Sequence, residues 1–106
     1  MGDCRHRRRV DAAPGWLRIE DEVRGGSGQP VEARLLLHPD CAVERAEGGF
    51  TIRSGPVVIR ATTDASVSIR EHWWCPDIGA RTPTKQVVLD LGPAPTRGHV
   101  ELQRAL

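Results

Sequence analysis

Apolar residues recur at every second position in short runs along this chain, and glycine or proline cuts each run before it lengthens. That period places alternate side chains on opposite faces of an extended strand. Over 16–23, Leu17, Ile19 and Val23 share one face, while Arg18, Glu20 and Glu22 occupy the other. Gly25, Gly26, Ser27 and Gly28 then form a flexible loop. Over 31–37, Val31, Ala33, Leu35 and Leu37 alternate with Glu32, Arg34 and Leu36, and Pro39 and Asp40 end the run. The pattern continues with strands at 42–45 and 50–53 around the Gly48–Gly49 turn, then at 57–61, 65–73, 86–91 and 98–103. Segment 75–84, with Pro76, Gly79 and Pro83, reads as an irregular loop, and Gly92-Pro93-Ala94-Pro95 as a second one.

No window carries an apolar stripe at helical spacing, so the chain is expected to be all-β. Short strands at near-regular spacing predict an antiparallel β-sandwich of two sheets. Its inward residues are expected to be Leu17, Ile19, Val31, Leu35, Leu37, Val57, Ile59, Val67, Ile69, Val87, Leu89, Val100 and Leu102. Residues 1–106 suffice for one domain with one modest core.

The formal charge of +1 gives no reason to expect a nucleic-acid or anionic-membrane partner. Arg5, Arg7, Arg8 and Arg9 form a local basic run that reads either as a patch for phosphates or acidic sugars or as a solvated edge strand. The second is the ordinary role of a short charge run. The N-terminus is polar and basic, without the apolar core of a secretory signal. Three cysteines, an odd number, make a disulfide scaffold a poor expectation.

Several constellations invite a chemical reading. His38-x-x-Cys41 and His72-x-x-Cys75 offer two nitrogen and two sulfur ligands, a set suited to tetrahedral zinc. Neither pair has a glycine-rich knuckle, and Cys41 opens a strand where a thiol packs as a small hydrophobe. No metal and no cofactor is therefore expected. Cys75 with His72 as a nucleophile pair would need both side chains on one face, which a three-residue step along a strand disfavours. Glu20, Asp21 and Glu22 are consecutive acids, but alternation turns Glu20 and Glu22 outward into solvent. No catalytic residue is assigned. Of the adjacent Trp73 and Trp74, one should face the core and the other outward, either stacking on a sugar or covering a neighbouring domain.

The order of these segments resembles the closing part of the heparinase II/III family. The series runs from His6-Arg7-Arg8-Arg9-Val10 through Gly15-Trp16-Leu17-Arg18-Ile19-Glu20-Asp21-Glu22-Val23 to Val31–Pro39. It closes with Trp74-Cys75-Pro76-Asp77-Ile78-Gly79, Thr84 and the strand Val87–Leu91. In that family a D-x-V-x-G strand, a strand ending in Leu-His-Pro and a W-x-x-P-x-x-G loop follow one another. The resemblance covers about residues 5 to 103, and this chain departs at Ile78, where the family often has an aromatic.

The resemblance implies a parent with an N-terminal α/α-toroid, which cleaves uronate-containing polysaccharides by β-elimination. The family's tyrosine and histidine catalytic groups and structural zinc ligands lie upstream of the segment matched here, and this chain contains no tyrosine. The expected role is a C-terminal structural part of such a lyase, inactive alone. Its expected partners are the rest of the parent, meaning the toroid and upstream strands, or other copies of itself. Trp74 and Arg81 are the candidate contacts to an acidic polysaccharide. The alternatives are a stand-alone carbohydrate-binding β-module and a His/Cys zinc-binding adaptor.

Overall fold

The computed structural model describes residues 4–105. They form nine strands, with no helix among the described residues: β1 (Arg5–Ala13), β2 (Trp16–Arg24), β3 (Pro30–Leu36), β4 (Ala42–Ala46), β5 (Gly49–Ser54), β6 (Val57–Thr63), β7 (Ser66–Trp74), β8 (Thr82–Pro93) and β9 (Thr96–Ala105). One sheet has six strands in the order β1-β2-β9-β6-β5-β4, and the other has three in the order β3-β8-β7. Every pairing is antiparallel. The two sheets pack face to face as a β-sandwich.

Turn chemistry fixes the hairpins. Pro14 and Gly15 join β1 to β2, and Gly15 takes φ +72°, a conformation that costs glycine no Cβ clash. Gly49 answers a different demand. A Cβ there would lie 1.9 Å from the Ala61 carbonyl oxygen, so only glycine lets β5 and β6 close at that point.

The core is centred on Phe50, Val87 and Leu89, with Ala33, Ile52, Ala61 and Val100 around them. Of the residues expected inward, Val87, Leu89 and Val100 are fully buried. Ile19, Leu35, Leu37, Ile59, Val67 and Leu102 pack half-buried against the core, and Leu17, Val31, Val57 and Ile69 are half-buried elsewhere. Phe50 and Ile52 belong with them, in phase on β5. Full burial of each such side chain is worth about 1.5–3 kcal/mol.

The strands are longer than the sequence pattern indicates at two places. Strand β8 begins at Thr82, inside the expected 75–84 loop, and runs to Pro93, inside the expected 92–95 loop. Pro93 pairs with Pro30 at the end of the ladder, where neither residue needs to donate an N–H. The register slips between Val31 and Glu32, and the bulge takes up one extra residue of β8 beside Gly92, whose φ is +86°.

Strand β8 is buried on both faces. Val88 points away from the six-stranded sheet yet is 1% exposed. Its register neighbours are Arg34 and Ser68, and on that face Arg34 and Arg70 converge on Glu32 at 3.0 and 3.4 Å. Long aliphatic stems thus close over a valine that alternation would leave in solvent.

The sheets are unequal, and this leaves one flank open. Strand β7 lies against β4, while Ala33 and Leu35 of β3 face Ile19, Gly98 and Val100 of β2 and β9. The smaller sheet comes near Arg8 of β1 through Ala33, Leu35 and Leu89, but leaves the next core-facing position of that strand open. Val10, paired with Ile19 and therefore on the core-facing side, is 55% exposed.

Candidate functional site

Strand β2 carries a carboxylate into the core-facing row. Leu17, Ile19, Asp21 and Val23 share one face, and Asp21 is 5% exposed. The hairpin register sets Arg8 opposite Asp21 and His6 opposite Val23, so both basic side chains stand on the same face as the acid. Arg8 donates from Nε to Asp21 Oδ1 at 2.8 Å and from Nη2 to Oδ2 at 3.2 Å. His6 Nε2 lies 2.8 Å from the same Oδ1. Burial pushes the Asp21 carboxyl up, but the hydrogen bonds from Arg8 and His6 outweigh it and hold the group below its ordinary value. In return, the bond to Asp21 raises the Arg8 guanidinium further.

This cluster forms one wall of a cleft of about 460 Å³. Strand β3 forms the other wall from Pro30 to Arg34, and Gln29, Leu91 and Ala94 close the end. Among the described residues, every buried side-chain nitrogen or oxygen has a hydrogen-bond partner. The charged groups at the base of the cleft are therefore satisfied by one another. A carboxylate of lowered proton affinity, already holding two donors, is a poor general base.

A second cluster lies at the far end of the smaller sheet. The Arg81 guanidinium sits 4.5 Å from the centroid of the Trp73 ring, a cation–π stack, and Trp73 is 46% exposed. Trp74 falls on the outer face of the sheet with His72, half-buried, its ring edge-on to His38 at 5.2 Å. The two candidate residues thus separate. Arg81 pairs with Trp73, and Trp74 is covered by His38. Beside them the 75–81 loop leaves Ile78 fully exposed.

The His-x-x-Cys pairs end near one another through the His38–Trp74 contact, but their cysteines do not converge. Cys41 packs against the core, while Cys75 and Cys4 are exposed. Among the described residues, no three His, Cys, Asp or Glu side chains gather as a ligand set.

The arginine run is split by alternation. Arg5, Arg7 and Arg9 lie on the outer face of edge strand β1; Arg5 stands opposite Arg24 at the strand end, while Arg7 and Arg9 each sit in a cross-strand row of mixed sign. Arg7, Glu22 and Arg97 form one row, Arg9, Glu20 and His99 the next, and Asp11, Arg18 and Glu101 the third. Opposite charges across neighbouring strands stabilise the pairing modestly and leave little unmatched field. Only Arg8 of the run turns inward.

Sequence reading missed the Asp21 site for a definite reason. Asp21 is in phase with Leu17, Ile19 and Val23, but its neighbours Glu20 and Glu22 made the triplet look like one solvated run. The signal was available in the two-residue Pro14-Gly15 turn, whose register sets Arg8 against Asp21.

The model of the heparinase II/III-like, C-terminal family matches residues 3–99. No curated protein matches this chain, and no solved structure does.

Proposed function

The chain belongs to the heparinase II/III-like C-terminal family, and from that premise we propose that it is the structural C-terminal β-sandwich of a polysaccharide lyase. The parent would cleave uronate-containing glycans by β-elimination, with this domain docked against its toroid and upstream strands. The observation that carries this reading is the state of Asp21. It is the one buried carboxylate among the described residues, and Arg8 and His6 hold it in its ionised form. Removing a proton α to a carboxylate needs a base of matched proton affinity and a free lone pair aimed at substrate. Asp21 meets neither need and serves to fasten β1 to β2. The chain has no tyrosine to act as an acid.

Two experiments test this. The purified chain, incubated with heparin, heparan sulfate or alginate, is expected to produce no ultraviolet absorbance from unsaturated uronate. Sequencing upstream of the Met1 codon is expected to find, in frame, several hundred further residues with the helical pattern of a toroid. An in-frame stop codon directly upstream, or absorbance that grows with chain concentration, would overturn the proposal.

The Trp73–Arg81 stack favours one other reading, a carbohydrate-binding module for acidic glycans. An exposed indole offers an apolar platform to a sugar ring, and the guanidinium offers a bidentate partner to a uronate carboxylate. That reading expects saturable quenching of tryptophan fluorescence by acidic oligosaccharides, lost in Trp73→Ala and kept in Trp74→Ala. The lyase-domain reading expects no quenching.

A further inference from the structure

We propose that Arg5, Arg7, Arg24 and Arg97, clustered at one end of the outer face of the six-stranded sheet, form a surface that holds the carboxylates of a uronate-containing polysaccharide. The hairpin register sets Arg5 opposite Arg24 and Arg7 opposite Glu22, and β9 sets Arg97 against Glu22 from the other side. Residues opposite one another in an antiparallel pair share a face. Neighbouring strands lie about 4.8 Å apart and alternate residues of one strand about 7 Å apart, so the four arginines are rooted within roughly 7 by 10 Å.

Toward the turn at Gly15 the charges of this face are matched, with Arg9 on Asp11 at 3.2 Å and Arg18 on Glu20 at 3.4 Å. Toward Arg5 the balance fails. Among the described residues, Glu22 is the one acid in these two rows, and it accepts its hydrogen bond from Arg24. No ion pair among the described residues engages Arg5, Arg7 or Arg97, and all three are exposed. Four guanidiniums therefore face one carboxylate. Like charges directly opposite, as Arg5 and Arg24 are, weaken strand pairing, and a bound anion would relieve that cost. Glu22 already feels the field: the bond from Arg24, and beyond it Arg97 and Arg7, hold its carboxyl below the ordinary value.

What the cluster lacks narrows its ligand. Every side chain in the two rows is charged, so a protein partner would find no apolar centre to bury, and a membrane no apolar face to enter. Trp16, the tryptophan of this face, lies eight residues along β2 from Arg24, about 27 Å away, so no nucleic-acid base can stack beside the arginines. A sugar chain that carries carboxylates among hydroxyls needs only guanidiniums, which pair with carboxylates through two parallel hydrogen bonds. The choice of uronate rests on the lyase-domain reading; the charge imbalance does not.

The probe is a fluorescein-labelled tetrasaccharide of alginate, with labelled cellotetraose as its neutral counterpart. Fluorescence anisotropy with the purified chain is expected to show binding of the uronate probe alone, weakening as salt rises, while tryptophan fluorescence stays unchanged. Arg7→Glu combined with Arg97→Glu should weaken binding about tenfold or more, and the pair Arg7→Gln with Arg97→Gln should lose most of that affinity too. Arg53→Glu with Arg60→Glu makes the same charge change on the same face but on β5 and β6, and should weaken binding about twofold at most. All four positions are exposed, so thermal midpoints should stay near that of the unsubstituted chain. No binding of the uronate probe, equal binding of cellotetraose, or equal loss in the two glutamate pairs would overturn the surface. Calorimetry giving inorganic sulfate or phosphate the same affinity as the tetrasaccharide would assign the arginines to a free anion and overturn the stated ligand. If the gene upstream encodes a lyase and the probe fails to bind, the surface alone is refuted. If it encodes none and the probe binds as expected, the domain reading falls and the surface stands.

Discussion

Arg8 Nε lies 2.8 Å from Asp21 Oδ1 across the β1–β2 hairpin, so an ion pair on the core-facing side fastens the edge strand to its neighbour. Hydrogen bonds to charged groups contribute about 1.5–3 kcal/mol, and Asp21 is buried. Arg8→Ala is therefore expected to lower unfolding free energy by about that amount, because it leaves the buried carboxylate with His6 as its remaining side-chain partner. Combining Arg8→Met with Asp21→Leu should restore most of the loss, since no charge is then left unpaired. Urea denaturation of the single and double variants checks this; losses that simply add would refute the coupling.

Acid should weaken the fold through the same group. The folded carboxyl of Asp21 binds its proton less readily than the unfolded one, whose ordinary value is 3.8. Below that value the unfolded chain takes up protons that the folded chain resists, so stability falls as pH drops toward the lowered folded value and is retained above it. Glu22, held down by its hydrogen bond from Arg24, acts in the same direction from its exposed position. Urea midpoints measured from pH 2 to pH 7 should decline below about pH 4. In Asp21→Asn that decline should be visibly shallower. An identical pH profile in the variant would show that Asp21 is not the responsible group.

Core and flank should respond very differently to truncation. Phe50 is 1% exposed, and Phe50→Ala is expected to cost about 3–5 kcal/mol through lost burial and the cavity left behind. Val10→Ala, on the open flank, should change stability by less than about 0.5 kcal/mol. Thermal melts of both variants provide the comparison, and a large loss at Val10 would mean that the flank is covered in solution.

Two glycines that lack room for a Cβ should rank in a definite order. At Gly98 the added carbon would meet Leu91 Cδ2 at 2.3 Å, the far end of a side chain that can rotate away. At Gly49 it would meet a backbone carbonyl at 1.9 Å, which cannot move without shifting β6. Both alanine variants overpack, at a typical cost of about 1–3 kcal/mol, and Gly49→Ala should be the worse of the two. Chemical denaturation of the pair decides it, with the reverse order as the failing result.

How far the fold could be read beforehand follows from what period two can encode. Alternation located every strand after β1, and placed Val87, Leu89 and Val100 inside, because sequence phase alone decides which face a residue takes; β1, mostly charged, carries no apolar alternation to read. It could not place Val88, on whose face Arg34, from the same strand as Glu32, and Arg70 of β7 converge on Glu32. It could not tell that Val10, on the core-facing side of β1, stays open to solvent, since that follows from strand count in the opposite sheet. At the second cluster, period two said only that Trp73 and Trp74 face opposite ways; the structure puts Trp74 on the outer face with His72. The covering His38 and the Arg81–Trp73 stack depend on loop paths that periodicity does not describe.

The order of strands also carries a consequence for how the chain is made. Strand β8 is the centre of the three-stranded sheet, and β9 alone joins the β1–β2 hairpin to β6, β5 and β4. Both lie in the last quarter of the sequence. A nascent chain leaving the ribosome from its N-terminus thus presents two disconnected pieces of one sheet and two unpaired flanks of the other until Thr82 and the residues after it emerge. Its hairpins can close as they appear, but the sandwich cannot. Folding of this sandwich waits for β8 and β9 to be made, and a premature stop within them removes the strands that make the other seven one body.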